Sequence, residues 1–238
     1  ANGKAFVDRV RREIGIELRI LDGEQEAYCG VLGVLNEIRL ESGLVLDIGG
    51  GSAQVSEVKK GEFHKGSSFR LGSLALTEQF VNNDPIEDSE FEAIQEEIDR
   101  QFDSVSWIGK VRTEARVGLG GTIRNLATIE AERCHYPMNT IYGFELSRES
   151  LAESVATLRK LPLEKREKIS GLKEDRADII LPGAMVALAL MERLDVESMA
   201  IATSGLREGI FFEQFWSHLP YPVIPDVRRY SVLNIARN

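Results

Sequence analysis

The stretch that most constrains this chain is Leu44 to Val55, LVLDIGGGSAQV. An apolar run carries a single acid, Asp47, stops in Gly49-Gly50-Gly51-Ser52, and resumes as an alternating strand. A strand that breaks in consecutive glycines and restarts reads as a hairpin whose turn has no side chains in the way. Such a turn can aim several backbone N–H groups at one anion, which is how a polypeptide cradles phosphate without a dedicated cation. Asp47, two residues before the turn, is placed to hold a metal ion or orient water. A tight hairpin with a buried acid explains the same residues, so both readings stay open on the glycines alone.

The surrounding pattern is α/β. Helical periodicity runs from Lys4 to Glu13, alternation over Ile16–Leu21 predicts a strand, and Asp22-Gly23 turns into a helix over Glu24–Ile38. Three strands follow, Leu44–Ile48, Ala53–Lys59 and Glu62–Arg70, then a short helix from Ser73 to Phe80. Ser89–Phe102 is an amphipathic helix whose acids, Glu90 among them, read as a solvated face. Ala115–Leu119 is a strand ending in Gly118-Leu119-Gly120-Gly121-Thr122, with a helix over Ile123–Ala131 behind it, so glycine amides and a helix N-terminus come together. Helices are expected at Ser147–Leu158, Pro162–Ile169, Asp175–Leu194 and Leu206–Phe215, and a strand at Ser198–Ala202 before the Thr203-Ser204-Gly205 turn. If their strands share a sheet, these three small-residue turns lie at one edge, where open α/β sheets bind ligands.

Composition excludes some classes. A formal charge of −9 with no basic stripe argues against nucleic acid, but not against a phosphate held by glycine amides or a metal ion. The two cysteines, Cys29 and Cys134, match no metal or disulfide spacing and read as reduced thiols. No apolar run reaches membrane-spanning length, and no signal peptide opens the chain. The start at Ala1-Asn2-Gly3 and a helical pattern running to Asn238 are the expected ends of a piece of a longer protein. A phosphate in the cleft would need water, a base to orient it, and positive charge. Asp47 could coordinate magnesium, and Glu26 or Glu24, at a strand-to-helix junction, could act as the base. An acid complementing the helix dipole accounts for either of those glutamates equally well. His135 begins a loop and is not read as catalytic.

Six ordered segments carry a resemblance: GEQEA at 23–27, GLVLDIGGGSAQV at 43–55, LGSLALTEQF at 71–80, GLGGTIRNLA at 118–127, RADIILPGA at 176–184 and SGLREGI at 204–210. Together the chain resembles the Ppx/GppA family of exopolyphosphatases and guanosine pentaphosphate phosphohydrolases, in the actin–sugar kinase–chaperone ATPase superfamily. The resemblance implies an actin-like (ribonuclease H-like) α/β lobe with a mixed sheet and flanking helices. Residues 1–42 would be the end of a first lobe, 43–217 the second lobe, and 218–238 a linker and the start of a following helical domain. It implies Glu26 as the base, Asp47 at the metal and water network, Gly49, Gly50, Gly51 and Ser52 as a phosphate loop, Gly120, Gly121 and Thr122 as the loop bordering it, and Arg207 as a further phosphate contact. The pattern departs at GGGSAQ, where Gln54 stands in place of a family glutamate expected to help hold the metal. The implied activity is magnesium-assisted release of terminal phosphate from polyphosphate or from pppGpp, in the cytoplasm. The alternative is a polyphosphate- or alarmone-binding sensor with little hydrolysis. No nucleic acid or membrane partner is expected, and a homodimer is a possible assembly.

Overall fold

The computed structural model describes residues 3–111 and 115–237, so the terminal Ala1, Asn2 and Asn238 of the sequence reading lie outside the described residues. Its centre is one six-stranded mixed sheet in the order β3-β2-β1-β4-β6-β5. The strands are β1 (Ser42–Ile48), β2 (Ala53–Lys59), β3 (Glu62–Phe69), β4 (Arg116–Leu119), β5 (Glu145–Ser147) and β6 (Ser198–Ile201). Strands β1, β2 and β3 form an antiparallel meander, β4 runs parallel to β1, β6 runs parallel to β4, and β5 closes the far edge antiparallel to β6. The parallel strands β1, β4 and β6 therefore end at one edge, each in a glycine-containing turn.

Alternation along β1 sorts its residues to two faces. Leu44, Leu46 and Ile48 join the larger core, which takes in α3 (Ser73–Phe80), α4 (Asp88–Asp103), α5 (Gly120–Arg133), α6 (Arg148–Lys160) and α8 (Ile180–Arg193). Between the last two lies the single-turn α7 (Leu163–Arg166). Val45 faces the other way, into a smaller core with Val31, Val34 and Leu35 of α2 (Gly23–Leu35), closed by Val58, Val117, Leu119 and Ala202. Helix α9 (Leu206–Phe215) packs along α2 so closely that a Cβ at Gly209 would lie 1.7 Å from the Cys29 carbonyl oxygen. Helix α1 (Gly3–Ile14) buries no residue, and α10 (Val227–Arg237) ends the described chain.

Three sequence expectations change, and one strand went unread. Ile16–Leu21 forms no strand: no neighbouring strand pairs with it among the described residues, and Ile16, Leu18 and Ile20 stay 52%, 39% and 64% exposed. An alternating pattern makes a strand only where a ladder partner takes its backbone groups. The expected helix over 175–194 is broken. A 3₁₀ turn at Glu174–Arg176 precedes α8, whose first turn accommodates Pro182 because the N–H it lacks would have no partner there. The three-residue β5 is too short to leave a periodicity and went unread. Glu90 is not solvated. It is buried, and its carboxylate accepts from the N–H groups of Asn82 and Glu87 and from the Asn83 side-chain amide, fixing the start of α4.

The α2–α9 contact gives a direct test of the packing. Gly209→Ala is expected to lower unfolding stability by about 1–3 kcal/mol in a urea titration, despite the better helix propensity of alanine. Gly109→Ala, where an added Cβ meets nothing within 4 Å, should change stability by no more than about 0.5 kcal/mol.

Candidate active site

The turn from Gly49 to Ser52 is held from beneath. The Gly49 carbonyl accepts from the Ser73 N–H (3.0 Å) and hydroxyl (3.3 Å), and the Gly50 carbonyl accepts from the Ala75 N–H (3.0 Å). Gly49 N–H closes the turn on Ser52 O at 2.9 Å. Gly72 makes this docking possible, since a Cβ there would lie 2.2 Å from the Gly50 oxygen. The carbonyls are thus spent on the first turn of α3. The N–H groups of Gly50, Gly51 and Ser52 have no acceptor among the described residues. Three consecutive unpaired amides at the open end of a sheet form a concavity suited to an anion.

Helix α2 brings an acid to this turn. Asp22 caps the helix, accepting from the N–H groups of Glu24 and Gln25, while the Gln25 side chain accepts from the Asp22 N–H. The helix start lies on β3, with so little space that a Cβ at Gly23 would be 2.6 Å from Ser68 Cβ and one at Gly66 would be 2.9 Å from Ala27 Cβ. Glu26 and Gly30, one turn apart, share the face turned to the sheet. Gly30 lies over Asp47, its notional Cβ 3.8 Å from Oδ2, and Glu26 lies over Gln54, whose Nε2 donates to Glu26 Oε2 at 3.0 Å. Asp47 and Gln54 are register partners across β1 and β2. The sequence alternative, Glu24, is exposed at the helix start.

The two carboxylates are tuned by their surroundings. Burial pushes the Asp47 carboxyl up to about 6; the Arg124 guanidinium pulls against that shift, and the charge of Glu26 adds to it. Glu26 is also raised, first by burial and then by Asp22. Asp47 needs a glycine beside it. At φ +91, Gly120 sits where a Cβ would come within 2.4 Å of Asp47 Oδ1. Arg124 is itself anchored, its Nε donating to Gly120 O at 3.3 Å and its Nη1 to Thr203 O at 3.1 Å.

The second junction presents the N-terminus of α5 without any side-chain cap. Gly121 is covered by the Arg176 guanidinium, whose carbon and both terminal nitrogens lie 2.8 Å from where a Cβ would stand. The Arg176 side chain makes no hydrogen bond or ion pair with another described residue. Arg176 belongs to the RADIILPGA segment, yet sequence reasoning gave it no part; the signal available was that it is one of three cations, with Arg124 and Arg207, in the segments of the resemblance. The Thr122 side chain is buried, and its hydroxyl donates to Ser73 Oγ (3.3 Å), packed by Gly183. Its hydroxyl is therefore committed to joining α5 with α3 beneath the turn, and only its backbone can face the open edge.

The third turn lies at the same edge but is already filled. The Glu37 carboxylate accepts from the N–H groups of Thr203 (3.0 Å) and Ser204 (2.7 Å) and from the Thr203 hydroxyl, and Glu208 accepts from Gly205 N–H at 2.9 Å. An internal carboxylate thus occupies the amides a ligand would use. Arg207, one residue into α9, is exposed, and its side chain has no hydrogen-bond or ion-pair partner among the described residues.

For a metal, the site offers the oxygens of Asp47, Glu26 and Ser52. Among the described residues no group of three or more His, Cys, Asp or Glu is placed to hold one. The Gln54 atom turned into the site is its amide nitrogen, a donor with no lone pair for a cation. The residues present do not form a resident metal cage.

An actin-like α/β sheet with a phosphate-sized glycine turn, facing acids on one helix and one strand, defines the class. The family model described as "Ppx/GppA phosphatase family" matches residues 1–218, and the chain belongs to that family. Among curated relatives, Exopolyphosphatase 1 of Mycobacterium tuberculosis is 29% identical over 217 residues, covering 90% of this chain and 63% of the relative. The guanosine-5'-triphosphate,3'-diphosphate pyrophosphatase of Pseudoalteromonas translucida is 24% identical over 235 residues, covering 98% of this chain and 45% of that protein. The chain thus spans less than two thirds of the length of these relatives. The crystal structure of the Aquifex aeolicus Ppx/GppA family member superposes with a TM-score of 0.77 at 28% identity, over 91% of this chain and 70% of that one. An exopolyphosphatase from Cytophaga hutchinsonii, at 23% identity and a TM-score of 0.81 over 90% of this chain and 70% of its own, shares the fold.

The filled third turn is testable on its own. Glu37→Ala strips charged acceptors from two partly buried amides and should cost about 2 kcal/mol of unfolding stability, read by chemical denaturation.

Proposed function

We propose that this chain forms one wall of a hydrolytic site that removes the terminal phosphate from inorganic polyphosphate or from guanosine pentaphosphate. The observation that carries the reading is the set of three unpaired amides, Gly50 to Ser52, beside the carboxylate of Glu26. The names of the relatives at 29% and 24% identity supply the substrate class.

In this reading the terminal phosphate sits on the N–H groups of Gly50, Gly51 and Ser52, with the α5 N-terminus at Gly120 and Gly121 alongside. Arg176, flat on Gly121 and unpaired, supplies positive charge where negative charge develops, a role that Arg207 could share from the start of α9. Glu26 accepts a proton from water as the water oxygen attacks phosphorus. The bond from phosphorus to the bridging oxygen breaks, and the shortened chain leaves with that electron pair. Asp47, whose carboxyl burial pushes up to about 6, orients the water. If magnesium arrived bound to the phosphates of the substrate, Asp47 would be the carboxylate to hold it and the ion would supply further positive charge. We assign residues 1–42 to the end of a first lobe, 43–217 to the second lobe and 218–238 to the start of a further segment, and place the reaction in the cytoplasm.

The test is phosphate release from long-chain polyphosphate with magnesium present. Glu26→Gln should lower the rate by about 100-fold or more. Release unchanged in that variant would remove Glu26 from the base role, and a wild-type protein that binds polyphosphate without cleaving it would leave the sensor reading instead. Arg176→Ala should raise KM for polyphosphate by about tenfold or more, the value of a charged hydrogen bond lost from a phosphate. An unchanged KM and kcat would take Arg176 out of the site.

A further inference from the structure

Gln54 stands where the two halves of the site meet. It is 6% exposed, opposite Asp47 on β1 and opposite Ser68 on β3, on the sheet face that α2 covers. Its Nε2 lies 3.0 Å from Glu26 Oε2, 2.8 Å from Ser52 Oγ and 3.3 Å from Ser68 Oγ. An amide NH2 only donates, and a carboxylate oxygen only accepts, so the contact with Glu26 sets which way the amide faces. Turned over, the amide would place its oxygen against a carboxylate oxygen and lose the Glu26 contact, leaving only the two serine hydroxyls to donate to it. One neutral group therefore links the acid on α2, the last residue of the glycine turn and the edge strand. Accepting from Gln54 also leaves the Ser52 hydroxyl hydrogen free to point outward, beside the turn's unpaired amides.

We infer that Gln54 is a positioning residue whose NH2 takes the place of a cation between Glu26 and the glycine turn, so that the free site is assembled without resident divalent metal. A divalent cation needs oxygen donors at about 2.0–2.6 Å, and here the volume between Glu26 and Ser52 is taken by an N–H donor. An acid at this position would place three carboxylates, at 26, 47 and 54, around that volume. The donor then becomes a ligand and the cross-link becomes metal-dependent.

The inference rests on the hydrolytic reading only for its kinetic arm. The first measurement is a titration of the phosphate-free protein with Mn2+, followed by electron paramagnetic resonance. Wild type should show no saturable site, and Gln54→Glu should gain one. Saturable binding of one Mn2+ by wild type as tightly as by Gln54→Glu would overturn the inference, as would no gain in Gln54→Glu. The second is steady-state polyphosphate hydrolysis. Gln54→Met keeps the length and removes the donor, so kcat should fall by about tenfold while KM stays within about twofold. Gln54→Glu should recover kcat as Mn2+ saturates its new site, which Gln54→Met cannot do. A Gln54→Met protein with wild-type kcat would overturn the positioning role. If no form of the protein releases phosphate, the hydrolytic reading fails, and the Mn2+ titration still decides this inference.

Discussion

The site depends on how one turn divides its backbone groups. The carbonyls of Gly49 and Gly50 are drawn down onto the first N–H groups of α3, and the N–H groups of Gly50, Gly51 and Ser52 are left without acceptors. Helix α3 satisfies its own N-terminus by the same contact, so the two elements fix each other. The approach is tight enough to require Gly72 beneath the turn, and Thr122 and Gly183 lock the layer below it. The amide trio faces the open edge of the sheet, and an anion is the ligand that suits it.

A second close approach sets what faces that trio. Helix α2 can lie on β3 only because Gly23 and Gly66 have no side chains to keep it away, and this seats Glu26 against Gln54 and Gly30 against Asp47. On the same face, Gly120 concedes its Cβ space to Asp47. Burial of that acid raises its pKa to about 6, above the ordinary carboxylate range. Glycines in this chain thus act mainly as clearances that bring charged groups and backbone together, and only at Gly120 does the backbone conformation itself demand one at the site.

Much of this could be read from the sequence because it rests on local rules. The strand–glycine–strand stretch, the Asp22 cap of α2 and the helix behind Leu119 each carry their signal within a few residues. The resemblance singled out Glu26, Asp47, Gln54 and Ser52, and the structure brings these four together. What stayed hidden depends on partners distant in sequence. Thr203-Ser204-Gly205 has the composition of an anion turn, but Glu37, over 160 residues earlier, already supplies its anion. The Thr122 hydroxyl looks available in GLGGT until Ser73 is folded beneath it. Arg176 gains meaning only when the loop before α8 lays it across Gly121, and the alternation at Ile16–Leu21 promised a strand that finds no ladder partner among the described residues. The direction of the Gln54 amide is likewise set by Glu26, 28 residues earlier on another element.

The central claim is that the Gly50–Ser52 amides receive a phosphate group. It is tested most directly by amide chemical shifts in a 15N-labelled protein titrated with tripolyphosphate. The account predicts saturable downfield shifts of the Gly50, Gly51 and Ser52 N–H resonances, with those of Thr203 and Ser204 unmoved because Glu37 already holds them. Saturable binding that shifts other amides and leaves Gly50, Gly51 and Ser52 in place would contradict it.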